Sequence, residues 1–270
     1  MVLNKQEVLE MYKEGIPLDS IDLSGLNLSR IVLTGADLSN SDLRGTNFRG
    51  ANLSGAKLNN IKASESNWAQ INLRQSRISF SDLSSCYLMD AVMYGAEFFK
   101  VDLTNSNLSG SFISGGASIL DSSLVNVNLR GADLSMSDFS KSDFTLARIR
   151  NVNLNQATFN QVKMNSCVLT GSHMNQCDFS RSELSDINSE GVEFINCRFD
   201  HVNFQRSDLK RCVFKSSSFQ MSDFTESILD FSDFEGADLT FADFTNSKLK
   251  GTLFLAADTN GVNFSGTEFE

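Results

Sequence analysis

GADLSNSDLRGTNFRGANLSGAKL, residues 35–58, decides how this chain folds. Leu38, Leu43, Phe48, Leu53 and Leu58 return at every fifth position. Asp37, Asp42, Asn47 and Asn52 stand immediately before four of them, and a small residue stands two places before each: Ala36, Ser41, Thr46, Ala51 and Ala56. A period of five matches neither a 3.6-residue helix nor the two-residue alternation of a strand. It matches a chain that turns a corner after each pentad and places one large side chain inside each time. We call the large residue i, the small one i−2 and the Asp or Asn i−1.

Working outward, the beat is strict from Leu18 to Ile113, with only Ala63 small at i. Leu124 then follows Ile113 by eleven residues, so one residue has been added. Its simplest place is Gly115–Gly116, with Ile119 as the next i residue, because two glycines tolerate the dihedrals of a bulged corner. From Leu124 to Phe269 the beat resumes, broken only by Ser189 and Thr259. The chain thus holds 51 pentads with no break in composition, which predicts one repeat domain over residues 16–270. Volumes at i and i−2 compensate, as dense packing requires: Ala63 has Ile61 before it and Trp68 at the next corner, and Ser189 has Ile187. From Phe194, Phe199 and Phe204 onward, phenylalanine fills 11 of 16 i positions, predicting a core of stacked rings.

Residues 1–15 read as a short helix that caps the first coil. Asn4 is a candidate N-cap, Glu7 closes a capping box, Leu3 and Val8 suit a hydrophobic staple, and Gly15 and Pro17 end the helix. The net charge of −10 opposes direct binding to nucleic acid. No run of eighteen apolar residues predicts a membrane span, and the charged first fifteen residues lack a signal-peptide core. A cytoplasmic protein is the expectation.

The A(D/N)LXX pattern of residues 35–58, repeated in FSDFEGADLTFADF (231–244), resembles the pentapeptide-repeat family over residues 16–270. The resemblance implies an all-β, right-handed quadrilateral parallel β-helix with four pentads per coil. About 13 coils at roughly 4.8 Å each would make a solenoid of roughly 60 Å. Residues four pentads apart would then stack. Some members of the family confer quinolone resistance by resembling duplex DNA and binding DNA gyrase. The N-terminal helix followed by GLNLSR (25–30) resembles bacterial, especially cyanobacterial, members, many without an assigned activity and one group linked to developmental signalling.

Residues that suggest chemistry are few. All five cysteines, Cys86, Cys167, Cys177, Cys197 and Cys212, fall at i−2, where Cys is a small buried hydrophobe. Stacking brings Cys177 and Cys197 within range of each other, but free thiols in a reducing compartment are the expectation. His173 at i−1 and His201 at i+2 should face solvent. Nothing matches a nucleophile elbow, phosphate loop or zinc spacing, so no enzyme, metal or cofactor is expected.

The sharpest surface candidate is an acidic belt: Asp223, Glu226, Asp230, Asp233, Glu235, Asp238 and Asp243, with no Lys or Arg between Lys215 and Lys248. It can be read as a partner surface or as half of a set of charge rungs. Asp37/Lys57, Asp42/Lys62, Lys62/Asp82, Arg77/Glu97, Arg206/Glu226, Lys210/Asp230 and Lys215/Glu235 all pair opposite charges four pentads apart. The sequence therefore predicts a rod-shaped, non-enzymatic interaction scaffold for an unidentified protein partner. The alternative is a gyrase modulator, and a more distant one a signalling or secreted effector. The last residues, GVNFSGTEFE, are still pentads, so the final coil is expected to end frayed, to pair end to end with a second copy, or to continue into further chain.

Overall fold

The computed structural model describes residues 3–270 and divides between Asp133 and Leu134 into two compact units. In the N-terminal unit, α1 (Lys5–Lys13) begins at Asn4, whose side chain accepts from the amides of Gln6 and Glu7 while the Glu7 carboxylate accepts from the Asn4 amide. It ends in a Schellman arrangement: the Ile16 amide donates to the Met11 carbonyl, and that of Gly15, at φ +71°, donates to Tyr12. Val8 is buried, and the Tyr12 hydroxyl donates to the Thr34 carbonyl. The helix is therefore tied to the coils by packing and by a hydrogen bond.

Both units are coils whose successive turns pair in parallel. Asp22 bridges Asp42 and Asp42 bridges Lys62 in the first; Asp138 bridges Thr158 and Thr158 bridges Asp178 in the second. The partners in each bridge stand four pentads apart, so four pentads make one turn. Regular strands are few. Most pentads contribute a single bridging residue at i−1, and among the described residues only β1 (Arg77–Ser79), β2 (Glu97–Phe99) and β3 (Ser118–Leu120) extend to three, in one parallel sheet.

The register of that sheet locates the added residue. Ile78 pairs with Phe98 at the regular interval of four pentads, but Phe98 pairs with Ile119, one place beyond that interval. The extra residue thus lies between Phe98 and Ile119. Gly115 and Gly116 follow one another at φ +64° and +81°, a succession that an L-residue pair would adopt only at a cost of about 1–2 kcal/mol each.

Most pentads account for their backbone donors in the same way. The i amide donates to the i−1 carbonyl of the next coil (Leu23 to Asp42, 2.8 Å), and the i−1 amide donates back (Asp42 to Ile21, 2.9 Å). The i+2 amide reaches the next coil (Gly25 to Arg44), and the i−2 amide closes the corner (Leu26 to Leu23). Position i+2 has positive φ throughout, from Ser20 to Ala256, the signature of the second central residue of a type II turn. This scheme gives the i+1 amide no backbone partner, and at Ile21, Ile61 and Val152 the i−2 amide donates instead to a serine hydroxyl one coil on. The Asp or Asn at i−1 supplies the i+1 amide with an acceptor: Asp22 accepts from Ser24, Asp82 from Ser84 and Asp178 from Ser180. The preference for D or N in the repeat is thus a requirement to satisfy one donor per corner.

The interior is filled by i and i−2. Leu38, Leu43, Phe48 and Trp68 are fully buried in the first unit, as are Phe194, Phe199 and Phe204 in the second. Phe48 meets Trp68 edge-on at 5.6 Å. In the second unit, rings on successive coils stack face to face: Phe159 on Phe179 at 4.9 Å and Phe179 on Phe199 at 5.2 Å. Neighbouring corners meet edge-on, which is the arrangement the ring quadrupoles favour.

Candidate interaction surface

The seven residues of the acidic belt do not line one side. Consecutive pentads lie on consecutive sides of the coil, so a run in sequence becomes a ring around it. Only Asp223 and Asp243 stack directly, as bridge partners. Most of the ring is committed to the backbone. Asp223, Asp233, Asp238 and Asp243 each accept from the amide two residues on, in Thr225, Glu235, Thr240 and Thr245. Asp230 accepts from the Lys250 amide one coil away. Lys215 lies 2.6 Å from Glu235 and 3.1 Å from Asp233. Burial pushes the Asp238 carboxyl up, but donation by the Thr240 hydroxyl and the Gln220 side chain outweighs it and holds that carboxyl below its ordinary value. Glu226 is the exposed member left for a partner.

Asp230 illustrates a substitution rule that the sequence pattern conceals. At some corners where i−1 is neither Asp nor Asn, an Asp or Asn at i+1 of the preceding coil takes over the orphan amide. Asn155 serves Asn175, Asn165 serves Ser185, Asn175 serves Ile195, and Asp200 serves Gln220. The residues they replace at i−1 are His173, Glu183, Glu193 and Ser218.

Some charge rungs form as the four-pentad spacing predicts: Lys57–Asp37 at 3.7 Å, Arg77–Glu97 at 3.1 Å and Lys215–Glu235. Two differ. Arg206 turns to Asp186 on the preceding coil rather than to Glu226, and Lys210 pairs with Asp208 beside it rather than with Asp230. Asp230 is already engaged with an amide, and exposed pairs differ by too little energy for spacing alone to choose between them. The Asp186 carboxyl is held below its ordinary value by hydrogen bonds from Arg206.

The five cysteines are free and buried. They do more than fill space. Each thiol donates to the carbonyl of the i residue 23 positions earlier, Cys86 to Ala63, Cys167 to Phe144, Cys177 to Leu154, Cys197 to Met174 and Cys212 to Ser189. Buried serines at i−2 make the same bond, as Ser106 does to Leu83. Burial pushes the thiol of Cys86 up to about 11 and those of Cys167 and Cys212 to about 12, against an ordinary 9.0. Two results are expected. A disulfide reagent at pH 8 should leave all five unlabelled until the chain is unfolded; labelling of the native protein at free-thiol rates would contradict the geometry. Stability should also fall as pH rises from about 9 towards about 11 to 12, because the unfolded chain loses these protons first.

His173 and His201 are exposed. Among the described residues no three His, Cys, Asp or Glu side chains converge as a metal site, and no helix is long and apolar enough to cross a membrane.

Two outward clusters in the N-terminal unit lie outside the acidic pattern of the sequence. Phe80 and Phe99 meet edge-on at 5.6 Å beside β1 and β2, and Lys100 lies over both rings. Separately, Lys5, Arg30 and Arg49 border a polar depression of about 480 Å³ with Ser29, Asn47, Gly50 and Gln70. The four-pentad rule missed this second cluster because Arg30 stands at i+2 and Arg49 at i+1, one place short of a full coil, while Lys5 comes from the helix.

Comparison with known proteins locates matches to a model described as pentapeptide repeats over residues 18–50, 51–90, 71–110 and 122–161, and to a pentapeptide repeat region over 188–264. No curated protein matches. Among solved structures, HetL from Nostoc sp. strain PCC 7120, a protein involved in heterocyst differentiation regulation, is 20% identical; the match covers 98% of this chain and 96% of HetL, with a TM-score of 0.30. The fluoroquinolone resistance protein QnrB1 is 18% identical over 71% of this chain and 81% of its own, with a TM-score of 0.38. Rfr23 from Cyanothece 51142 is 13% identical over 40% of this chain and 91% of its own, at 0.35. Scores this low carry no argument, and the family rests on the repeat models alone.

Proposed function

This chain belongs to the pentapeptide-repeat family, and from that premise we propose that it is a non-enzymatic interaction scaffold. The observation that supports this reading is the division of labour within the pentad. Positions i−2 and i fill the core, i−1 satisfies the corner amide, and the ladder holds the backbone. Positions i+1 and i+2 are left as a regular array of outward side chains at fixed separations, which is what a surface for protein partners requires. The finer reading is a right-handed quadrilateral coil of about 13 turns, capped by α1, in the cytoplasm, where five free thiols persist. Affinity capture with the full chain from cells of its source tests it. A partner recovered in stoichiometric amount is expected, and recovery of none counts against the proposal.

The gyrase alternative is less favoured. A duplex mimic needs unneutralised charge along one side, and the belt circles the coil with its carboxylates occupied by amides and Lys215. Purified gyrase should supercoil DNA normally in the presence of the protein at micromolar concentration; inhibition or protection there would reverse the preference.

A further inference from the structure

The groove beside α1 gathers cations from the helix and from two coils. Lys5, Arg30 and Arg49 converge on it, and among the described residues none of the three has a carboxylate within ion-pair distance. The Lys5 ammonium donates one of its three protons to the Ser29 carbonyl, which fixes it over the depression. Three unpaired cations at one place in a chain of net charge −10 form a local positive field that an anionic group would occupy.

The groove does not stop at the cations. A second depression of about 320 Å³ shares Arg49 and Gln70 with the first and continues over Ala69, Tyr87 and Met89 to Asp90. Ala69 is buried although it stands at the normally outward i+1 position, and so forms a floor. Tyr87, 52% exposed, forms a wall. From Arg30 to Asp90 the groove crosses three coil spacings, roughly 14 Å, which is four to five residues of extended chain. In order it presents cations, an apolar floor with an aromatic wall, and a carboxylate.

We propose that this groove binds a short extended peptide segment of a partner protein, with acidic side chains on Lys5, Arg30 and Arg49, an apolar side chain on Ala69, Tyr87 and Met89, and a cation towards Asp90. Nucleic acid does not fit, because the Asp90 carboxylate meets a phosphate backbone at the point where it would have to continue. The inference rests on the interaction-scaffold reading and names its site.

The test uses the full isotopically labelled chain and the blocked peptide acetyl-Glu-Glu-Ala-Leu-Lys-amide. On titration, shifts are expected at the Arg30 and Arg49 side-chain N–H groups and at the Ala69 and Met89 amides. Replacing both Glu of the peptide by Gln, or substituting Arg30→Gln and Arg49→Gln together, should weaken binding about tenfold or more. Both arginines are at the surface, so the double variant should keep the wild-type melting curve, and Arg181→Gln in the second unit should bind as wild type. Absence of shifts, equal binding of the Gln peptide, or shifts scattered over other cations would overturn the proposal. Inorganic phosphate is the remaining arm: if it binds as tightly as the peptide, the site takes small anions and the peptide assignment fails. A partner captured equally by wild type and the double variant would sink the groove and leave the scaffold reading standing.

Discussion

Leu83→Asp is expected to unfold the N-terminal unit, whereas Asp82→Leu, one residue earlier, should cost only about 1 kcal/mol. Leu83 occupies an i position and is fully buried. A carboxylate there would have no counter-charge in the core, and a buried unpaired charge is among the few single changes that exceed about 4–5 kcal/mol. That is comparable with the whole stability of a typical domain. Asp82 instead faces outward and accepts from the Ser84 amide at 2.9 Å. Leucine removes that bond but leaves the amide close to solvent, and apolar residues already stand at i−1 in Val92 and Ile228. Urea denaturation followed by circular dichroism reads both variants. A Leu83→Asp protein with the wild-type midpoint would mean that the assignment of inside and outside is wrong.

Phe199→Ala should cost about 3–5 kcal/mol, the range for a large aromatic removed from a close-packed core. Its ring stacks on Phe179 at 5.2 Å and Phe219 at 4.9 Å, and meets Phe194, Phe204 and Phe214 edge-on. Alanine leaves a cavity that rings held on both sides cannot collapse to fill. Phe199→Leu should cost less, about 1.5 kcal/mol or below, because leucine conserves more volume and already fills neighbouring corners such as Leu209. Phe241→Ala is the control. Phe241 is exposed at i+2, and its loss should stay within about 0.5 kcal/mol. Because coils contact only their neighbours, hydrogen exchange in Phe199→Ala should accelerate most in the coils of Phe179 and Phe219. Equal midpoints for Phe199→Ala and Phe241→Ala would contradict a stacked-ring core.

Much of this was legible from the beat alone. A large residue every fifth position can be buried at every turn only if the chain coils, so residues 35–58 already imply Leu38, Leu43 and Phe48 inside. The helix signals were equally local: Asn4, Glu7 and Gly15 each act within a few residues of their own position. The uses of the polar positions were less legible. Asp230 reads as a surface acid and is in fact the acceptor for Lys250, because what matters is which corner amide one coil on lacks an acceptor. Cys86 reads as filler and donates to Ala63 across a coil. The groove was invisible because its cations come from the helix and from two different positions in the repeat.

Periodicity by itself determined which side of each residue faces the core, because burial of one large side chain per corner dominates the energy and depends only on local spacing. Partner choice among the outward groups was decided only by the tertiary structure. Arg206 chose Asp186, Lys210 chose Asp208, and Lys5, Arg30 and Arg49 gathered without a carboxylate. The physical reason is that exposed charges differ by about 1 kcal/mol or less between competing arrangements, so their geometry follows from where the coils and the helix place them.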